Sequence, residues 1–508
     1  MTFDLAIPGQ LMGALGPDLV LMVGAMVLML VAAWKPESDA HQRFVGQASV
    51  AVIVATMAMV VWYATSGATA SMGIIAVDGF RWAADMVFLI GAAAAILIGI
   101  ESNPRDRILS AESHVLILFA TAGMMILASA RDLMIVFLGV EIMSIAVYVL
   151  VGLNRSSVRS AEGALKYFLL GAFSTGFLLY GIALVYGATG TTSIPLIGER
   201  IITYSLVHHS MLLIGVGLLL IGFAFKVAAV PFHMWAPDVY EGAPTPVTAY
   251  MAAAVKAAAF AMFFRVWIES FNLLDGAWLA PIWWLAAATM VVGNVVALAQ
   301  RNVKRMLAYS SIVHGGYLLA AVAAGTPLGS AAFLFYAVAY TLATFGAFAV
   351  VSSMTKPGEY AYAISDYDGL WTTRPWLAIG FSICLLALLG FPIFGGAGFF
   401  AKWYVLQAAM TSPRELVPLA VLLVITSVVS AGYYLHVVRV MFMRPRPEGA
   451  TEPPALEPYT RAVLVACVGL ILLLGVFPNR LASWARTNAL VAAPLQGPTA
   501  ALSPPTTP

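Results

Sequence analysis

The sequence predicts an all-α protein that crosses a membrane about fourteen times. Three observations carry this reading. Hydrophobic residues fill 61% of the 508 positions and charged residues only 10%, a balance that no water-facing surface tolerates. Windows of about nineteen residues pick out one apolar run after another along the whole chain. The connections between runs are short, the longest lying at 187–208, 353–375 and 444–461, so no separate soluble domain has room to fold.

In chain order, the runs at 17–34 and 44–65 are parted by WKPESDAHQR, those at 82–102 and 112–129 by ESNPRDR, and those at 132–153 and 161–187 by NRSSVRS. Runs at 208–232 and 246–270 follow, then 277–299 and 303–324 parted by QRNVKR, then 328–354 and 376–410. The last two, 415–442 and 460–478, flank RVMFMRPRPEGATEPPALEPYTR. The first run has no Lys or Arg before Lys35 and follows Asp4, so it reads as a retained span and not as a cleaved signal peptide. The first residues and the tail APLQGPTAALSPPTTP are expected to be disordered, the tail because prolines and small residues cannot build a core.

The quoted loops all fall on one side of the membrane, and the loops of that side hold about fifteen of the 26 Lys and Arg against about seven on the other, which makes that side cytoplasmic and sends both termini outward. Many of the 12 tryptophans, including Trp34, Trp62, Trp82, Trp235, Trp278 and Trp371, stand near segment ends and are expected to form an interfacial belt. Cys384 and Cys467 lie singly in apolar runs and read as small core side chains. No phosphate-binding or dinucleotide motif and no haem or zinc spacing is present, so the chain is expected to carry no redox centre and no nucleic-acid partner.

With the loops set aside, the charges inside apolar runs are Lys166, Lys226, Lys256 and Lys402, with Glu141 as the carboxylate near a span centre. Such residues snorkel to headgroups, form static ion pairs, or mark an ion path. Lys166 stands only a turn inside its run beside Glu162, so snorkelling weighs most there. Pro231 cannot donate to the carbonyl of Val227, which leaves backbone oxygen free beside Lys226. The pattern recurs in LLGFPIFGGAGFFAKWYVL, where Pro392, Gly395, Gly396 and Gly398 interrupt a run that then delivers Lys402. Two broken helices in corresponding positions point to inverted repeats around a transport site. The spacing agrees: Glu141 precedes Lys226 by 85 residues and Lys256 follows by 30, while His314 precedes Lys402 by 88 and His436 follows by 34. Each half thus offers a partner, a lysine at a broken helix and a relay residue, although both histidines also suit an ordinary core. A buried amine gains or loses its proton as a charged partner arrives or leaves, which makes such a set suited to protons.

The segments FKVAAVPFHMWAPDVYEGAPTPVTAYMAAAVKAAAF, ALKYFLLGAFSTGFLLYG, FLGVEIMSIAVYVLVG, NVKRMLAYSSIVHGGYLL and GFPIFGGAGFFAKWYVL resemble the subunit N family, the antiporter-like membrane subunits of bacterial NADH:quinone oxidoreductase, respiratory complex I. The blocks PDVYEGAPTPV and AYSSIVHGGY favour this family over its paralogues M and L, and the long lateral helix of an L-type subunit is missing. The resemblance implies two inverted five-helix repeats, spans four to eight and nine to thirteen. That divides the chain into 1–110, 111–270, 271–442 and 443–508. It implies that Glu141 pairs with Lys226, that Lys256 passes the proton on, that Lys402 is the far terminus, and that Lys166 matches a basic position of the sixth helix. It further implies proton translocation by a non-redox subunit in the bacterial inner membrane. NADH, FMN, iron–sulfur clusters and quinone would be held by partner subunits, with M, K and J among the neighbours. A subunit of a stand-alone Mrp-type cation/proton antiporter is the alternative, and a solute carrier a more distant one.

Overall fold

The computed structural model describes all residues except 37, 71–72, 109, 356–360, 394, 448–451, 453 and 492–508; the expected disordered tail lies outside the described residues. The described residues hold twelve helices long and apolar enough to cross a membrane and two shorter apolar helices, Ser210–Lys226 and Pro375–Leu389. The two short ones are the runs interrupted by Pro231 and by Pro392 with its glycines, so every expected crossing is found.

The chain opens with a two-residue strand, β1 (Thr2–Phe3), paired in parallel with β2 (Thr69–Ala70), and a short helix, α1 (Pro8–Ala14). The first residues are therefore ordered, against expectation, because the loop after the second span supplies them with backbone partners. Three spans follow: α2 (Gly16–Trp34), α3 (Asp39–Thr65) and α4 (Gly79–Arg105). Next come α5 (Glu112–Ser129), α6 (Leu133–Val151) and α7 (Val158–Thr189), with α8 (Ile194–Thr203) amphipathic in the following loop. The seventh crossing is α9 (Ser210–Lys226), a non-helical stretch, and α10 (Trp235–Gly242). The eighth is α11 (Thr245–Tyr250), a π-helical turn Met251–Val255, and α12 (Lys256–Ser270).

The second half runs α13 (Asp275–Leu298), α14 (Val303–Ala324) and α15 (Pro327–Met354), then α16 (Leu370–Thr373) in the loop. The twelfth crossing is α17 (Pro375–Leu389) and α18 (Ala397–Thr411) around the second break, followed by α19 (Val417–Met443), α20 (Pro458–Val476) and the amphipathic α21 (Pro478–Thr487). The side chains of Ser38, Asp78, Asp132, Ser157, Asn302 and Thr326 accept backbone N–H bonds at the starts of α3, α4, α6, α7, α14 and α15. These satisfy donors that a helix end otherwise leaves open.

The eighth, tenth and eleventh crossings form the interior of the bundle, buried over nearly their whole apolar length, whereas α2, α3, α7, α19 and α20 present an outer face. Glu101 of α4 accepts from Tyr459 N (2.7 Å), Thr460 N (2.8 Å) and Thr460 Oγ1 (2.7 Å), which fastens the start of α20 to α4. The aromatic belt is only partly as expected: Trp34, Trp62 and Trp371 are exposed, but Trp82, Trp235 and Trp278 are buried. Trp235 and Trp278 turn inward because their indole N–H groups donate to the carbonyls of Phe225 and Phe271, and Trp82 lies beneath the Arg81 guanidinium. Cys384 and Cys467 are buried and unbridged, packed at Gly346.

The second break is built by glycine. Gly396 has φ +41°, a conformation that side chains disfavour, and a β-carbon on Gly398 would sit 1.9 Å from the carbonyl oxygen of Ala387. Gly398→Ala is expected to force α18 away from the end of α17 and to destabilise the fold by about 1–3 kcal/mol. Thermal unfolding of the purified protein checks this; an unchanged midpoint shows that the close approach is dispensable.

Candidate proton path

Lys226 ends α9, because Val227–Met234 leave the helical path. The stretch satisfies itself: Ala229 N donates to Ala224 O (2.8 Å), and Val230 N reaches across to Thr289 Oγ1 on α13 (2.9 Å). Ala228 sits in the left-handed region at φ 57°. The helix stops here instead of kinking, and Val227 O lies 3.3 Å from where a β-carbon on Gly315 of α14 would stand. The Lys226 side chain is buried and donates from Nζ to Ser144 Oγ on α6 at 2.9 Å, with the Tyr148 and Phe225 rings 5.9 Å away. Glu141 is half-buried one helical turn before Ser144, on the same side of α6. The direct Glu141–Lys226 ion pair expected from the resemblance is not formed among the described residues; Ser144 takes the ammonium instead.

Lys256 follows the π-helical turn directly, a wider turn that single sites use to redirect a side chain. Its buried Nζ donates to Ser311 of α14 twice, at 2.7 Å to the carbonyl and 2.5 Å to the hydroxyl. Tyr240 and Tyr340 also stand within reach of the Ser311 hydroxyl. One turn further along α14, the buried His314 bonds through Nδ1 to Tyr336 Oη and through Nε2 to Tyr434 Oη at 3.2 Å, and Tyr434 Oη meets Ser310 Oγ. A cavity of about 10 Å³, room for roughly one water, is lined by His314, Tyr336, Tyr340 and Lys402. Beyond it, Lys402 of α18 donates to Leu389 O (2.7 Å) and Ser427 Oγ (2.8 Å), over the Tyr317 ring at 4.9 Å. Leu389 is the last residue of α17, so at the second break the freed carbonyl itself holds the lysine.

Two expected members stand apart. Lys166 is 41% exposed and pairs with Glu162 (2.5 Å) and Asp238 (2.8 Å). Asp238 and Glu241 also bind Arg305, and Arg159 lies 3.6 Å from Glu241, a network at the mouth of the bundle. His436 is half-buried on α19 and makes no hydrogen bond or ion pair among the described residues; Tyr434, two positions earlier and so on another face, reaches His314. Sequence reasoning missed Ser144, Ser311, Tyr336 and Tyr434, since hydroxyl groups are too common to signal by type. It also missed Lys304, which was read as a loop residue but is buried against the carbonyls of Glu241 (3.2 Å) and Ala243 (2.7 Å). Near it a cavity of about 30 Å³ is lined by Asp106, Arg159 and Glu241. Burial pushes the Asp106 carboxyl up from its ordinary value, against the pull of Arg105 and Lys304.

Three of the four buried lysines, Lys226, Lys256 and Lys402, are each bonded to hydroxyl or backbone oxygen and have a histidine among them, the kind of intramembrane polar set that marks an ion path. Comparisons with known proteins give the family. Residues 130–430 match the family described as NADH:quinone oxidoreductase/Mrp antiporter, TM. A protein of Gemmatimonas aurantiaca named NADH-quinone oxidoreductase subunit N is 48% identical over 97% of this chain and 96% of its own length. A chain of respiratory complex I from Thermus thermophilus with bound aureothin superposes with a TM-score of 0.78 at 34% identity, covering 93% of this chain and all of that one. The Mrp complex from Dietzia sp. shares the fold, with a TM-score of 0.79 at 20% identity over 94% of this chain and 96% of that chain. The chain belongs to the NADH-quinone oxidoreductase subunit N family.

The exposed Lys166 network is expected to contribute little. Lys166→Met is expected to leave the midpoint of thermal unfolding nearly unchanged; a large drop would group it with the buried lysines.

Proposed function

We propose that this chain is the proton-translocating, non-redox membrane subunit of an NADH:quinone oxidoreductase. The observation that carries this is the polar line through the bundle: Ser144 with Lys226, Lys256 with Ser311, His314 with Tyr336 and Tyr434, and Lys402 with Leu389 O and Ser427. Hydroxyl and imidazole groups both donate and accept, so such a series can pass a proton by successive exchange. Glu141 supplies a charge one turn from the Ser144 bond and biases Lys226 toward its protonated form. Lys256 and His314 then pass the proton to Lys402, the far terminus.

A change of about three pKa units at one amine is worth about 4 kcal/mol, against about 2.3 kcal/mol to move one charge through 100 mV, so one switch per half suffices for one proton. The two switches fall in two repeats, 111–270 and 271–442, flanked by the helices of 1–110 and by 443–508. NADH, FMN, iron–sulfur clusters and quinone belong to partner subunits, and the neighbours in the bacterial inner membrane include subunits M, K and J. The basic loops face the cytoplasm and both termini the outer side, as the charge bias supports. The fold likeness to an Mrp complex supports a second reading, a stand-alone antiporter subunit; co-purification with subunits that hold iron–sulfur clusters separates the two.

Glu141→Gln keeps shape but removes the charge near Lys226, so assembly is expected to persist while proton uptake per NADH oxidised in sealed vesicles falls. Unchanged uptake would return Glu141 to a structural role. Lys256→Arg keeps the positive charge but cannot release a proton at working pH, and Lys256→Met removes the charge. Both are expected to block uptake. If Lys256→Arg pumps like the parent and only Lys256→Met fails, Lys256 is an electrostatic prop.

A further inference from the structure

Away from the lysine line, α2 and α4 bury a second set of charges. Asp18 of α2 and Arg81 and Asp85 of α4 are each no more than 2% exposed. Arg81 Nη2 donates to Asp18 Oδ2, and Nη1 donates to the carbonyls of Ala76 (3.0 Å) and Ala14 (3.3 Å). Its Nε lies 3.6 Å from Asp85 Oδ2, too far for a hydrogen bond. Among the described residues, both oxygens of Asp85 are without a hydrogen-bond partner, as are Asp18 Oδ1 and Arg81 Nε.

Among the described residues, the other groups around this site offer no spare cation. The charges that act on Asp85 are Arg81, Asp18, Asp78 and Arg265. Arg265 is committed to Asp78 through two bonds of 2.9 Å and to Glu269 through a third of 2.9 Å, and Glu269 lies 3.3 Å from Arg131. Tyr63 of α3, whose ring meets that of Trp82, donates to Gly13 O at 2.6 Å. One guanidinium therefore faces two carboxyls in the interior. A buried carboxylate with neither a hydrogen bond nor a cation of its own is strongly disfavoured, and a proton removes that penalty.

We propose that Asp18, Arg81 and Asp85 form a proton-binding site separate from the lysine line, in which the two carboxyls share one proton and Asp85 is its resident carrier. Asp85 is seven residues along α4 from Asp78, about 10 Å below the end where the Asp78 side chain is 40% exposed. The bound proton exchanges with that face. Nothing in the line from Lys226 to Lys402 uses these residues, so the site stands or fails independently of the proposed pumping route.

Difference infrared spectroscopy of the assembled complex, parent minus variant, tests this through the carbonyl stretch of a protonated carboxylic acid. Asp85→Asn is expected to remove one such band. Asp18→Asn is expected to remove it as well, because the remaining Asp85 is then matched one to one by Arg81 and ionises. Loss of the band in both variants is the predicted result. The proposal is overturned if neither variant loses a band, which means both carboxyls are ionised in the parent. It is also overturned if Asp18→Asn retains the band that Asp85→Asn loses, which means the two do not share a proton. If one variant fails to assemble, deuterium exchange decides: the parent band must shift when the complex is moved into heavy water, and a missing or unshifted band contradicts an exchangeable proton.

Discussion

An ammonium group cannot be left bare inside a membrane protein, and the architecture around the proposed path follows from meeting that requirement at Lys226, Lys256 and Lys402. Lys226 is met by a serine from a neighbouring helix, Lys256 by the carbonyl and hydroxyl of Ser311, and Lys402 by a helix-end carbonyl together with Ser427. Each solution needs an irregularity in a helix. Two crossings are broken outright and a third carries a π-helical turn just before its lysine. In hydrocarbon a broken backbone is tolerated only where protein or water satisfies it; Val227–Ala229 of the first break are buried with their amides bonded, whereas Pro231, Met234, Phe391, Pro392 and Ile393 are exposed. In the proposed path, the same polar oxygens that lower the cost of the charge also give the proton somewhere to go.

The two breaks reach this end differently. At α17 the last carbonyl, Leu389 O, is itself a ligand of Lys402, and the glycines after it allow α18 to come close enough for the contact. At α9 the break satisfies its own amides through Ala224 and Thr289, and the lysine finds its partner on α6. The first half thus places a carboxylate, Glu141, one turn from the amine's partner, while the second places a histidine bound to two tyrosines across a small cavity. The asymmetry suits a path whose two ends have different tasks, one favouring the charged amine and the other letting it go.

Much of this was legible in the sequence. The crossings follow from hydropathy, and both breaks from Pro231 and from Pro392 with Gly395 and Gly396, because proline and glycine act locally. The buried lysines declared themselves by being charged where neighbours are apolar. Their partners did not: Ser144, Ser311, Tyr336 and Tyr434 are unexceptional residues brought together from helices far apart in the chain, and only packing selects them. His436 shows the converse error, since regular spacing named it while helix geometry turns it away from the tyrosine that matters. Asp18, Arg81 and Asp85 were passed over because they stand near run ends, where charges are ordinarily solvated; the four-residue step from Arg81 to Asp85 was the available signal.

The central claim is that the lysines and His314 form one hydrated line and not four isolated buried charges. A structure of the assembled complex at a resolution that shows ordered water tests it most directly. The account predicts water in the cavity between His314 and Lys402, hydrogen-bonded to both, and water joining the Lys226 region to Lys256. Dry apolar packing at both places, with each ammonium held only by the protein atoms described above, would contradict it.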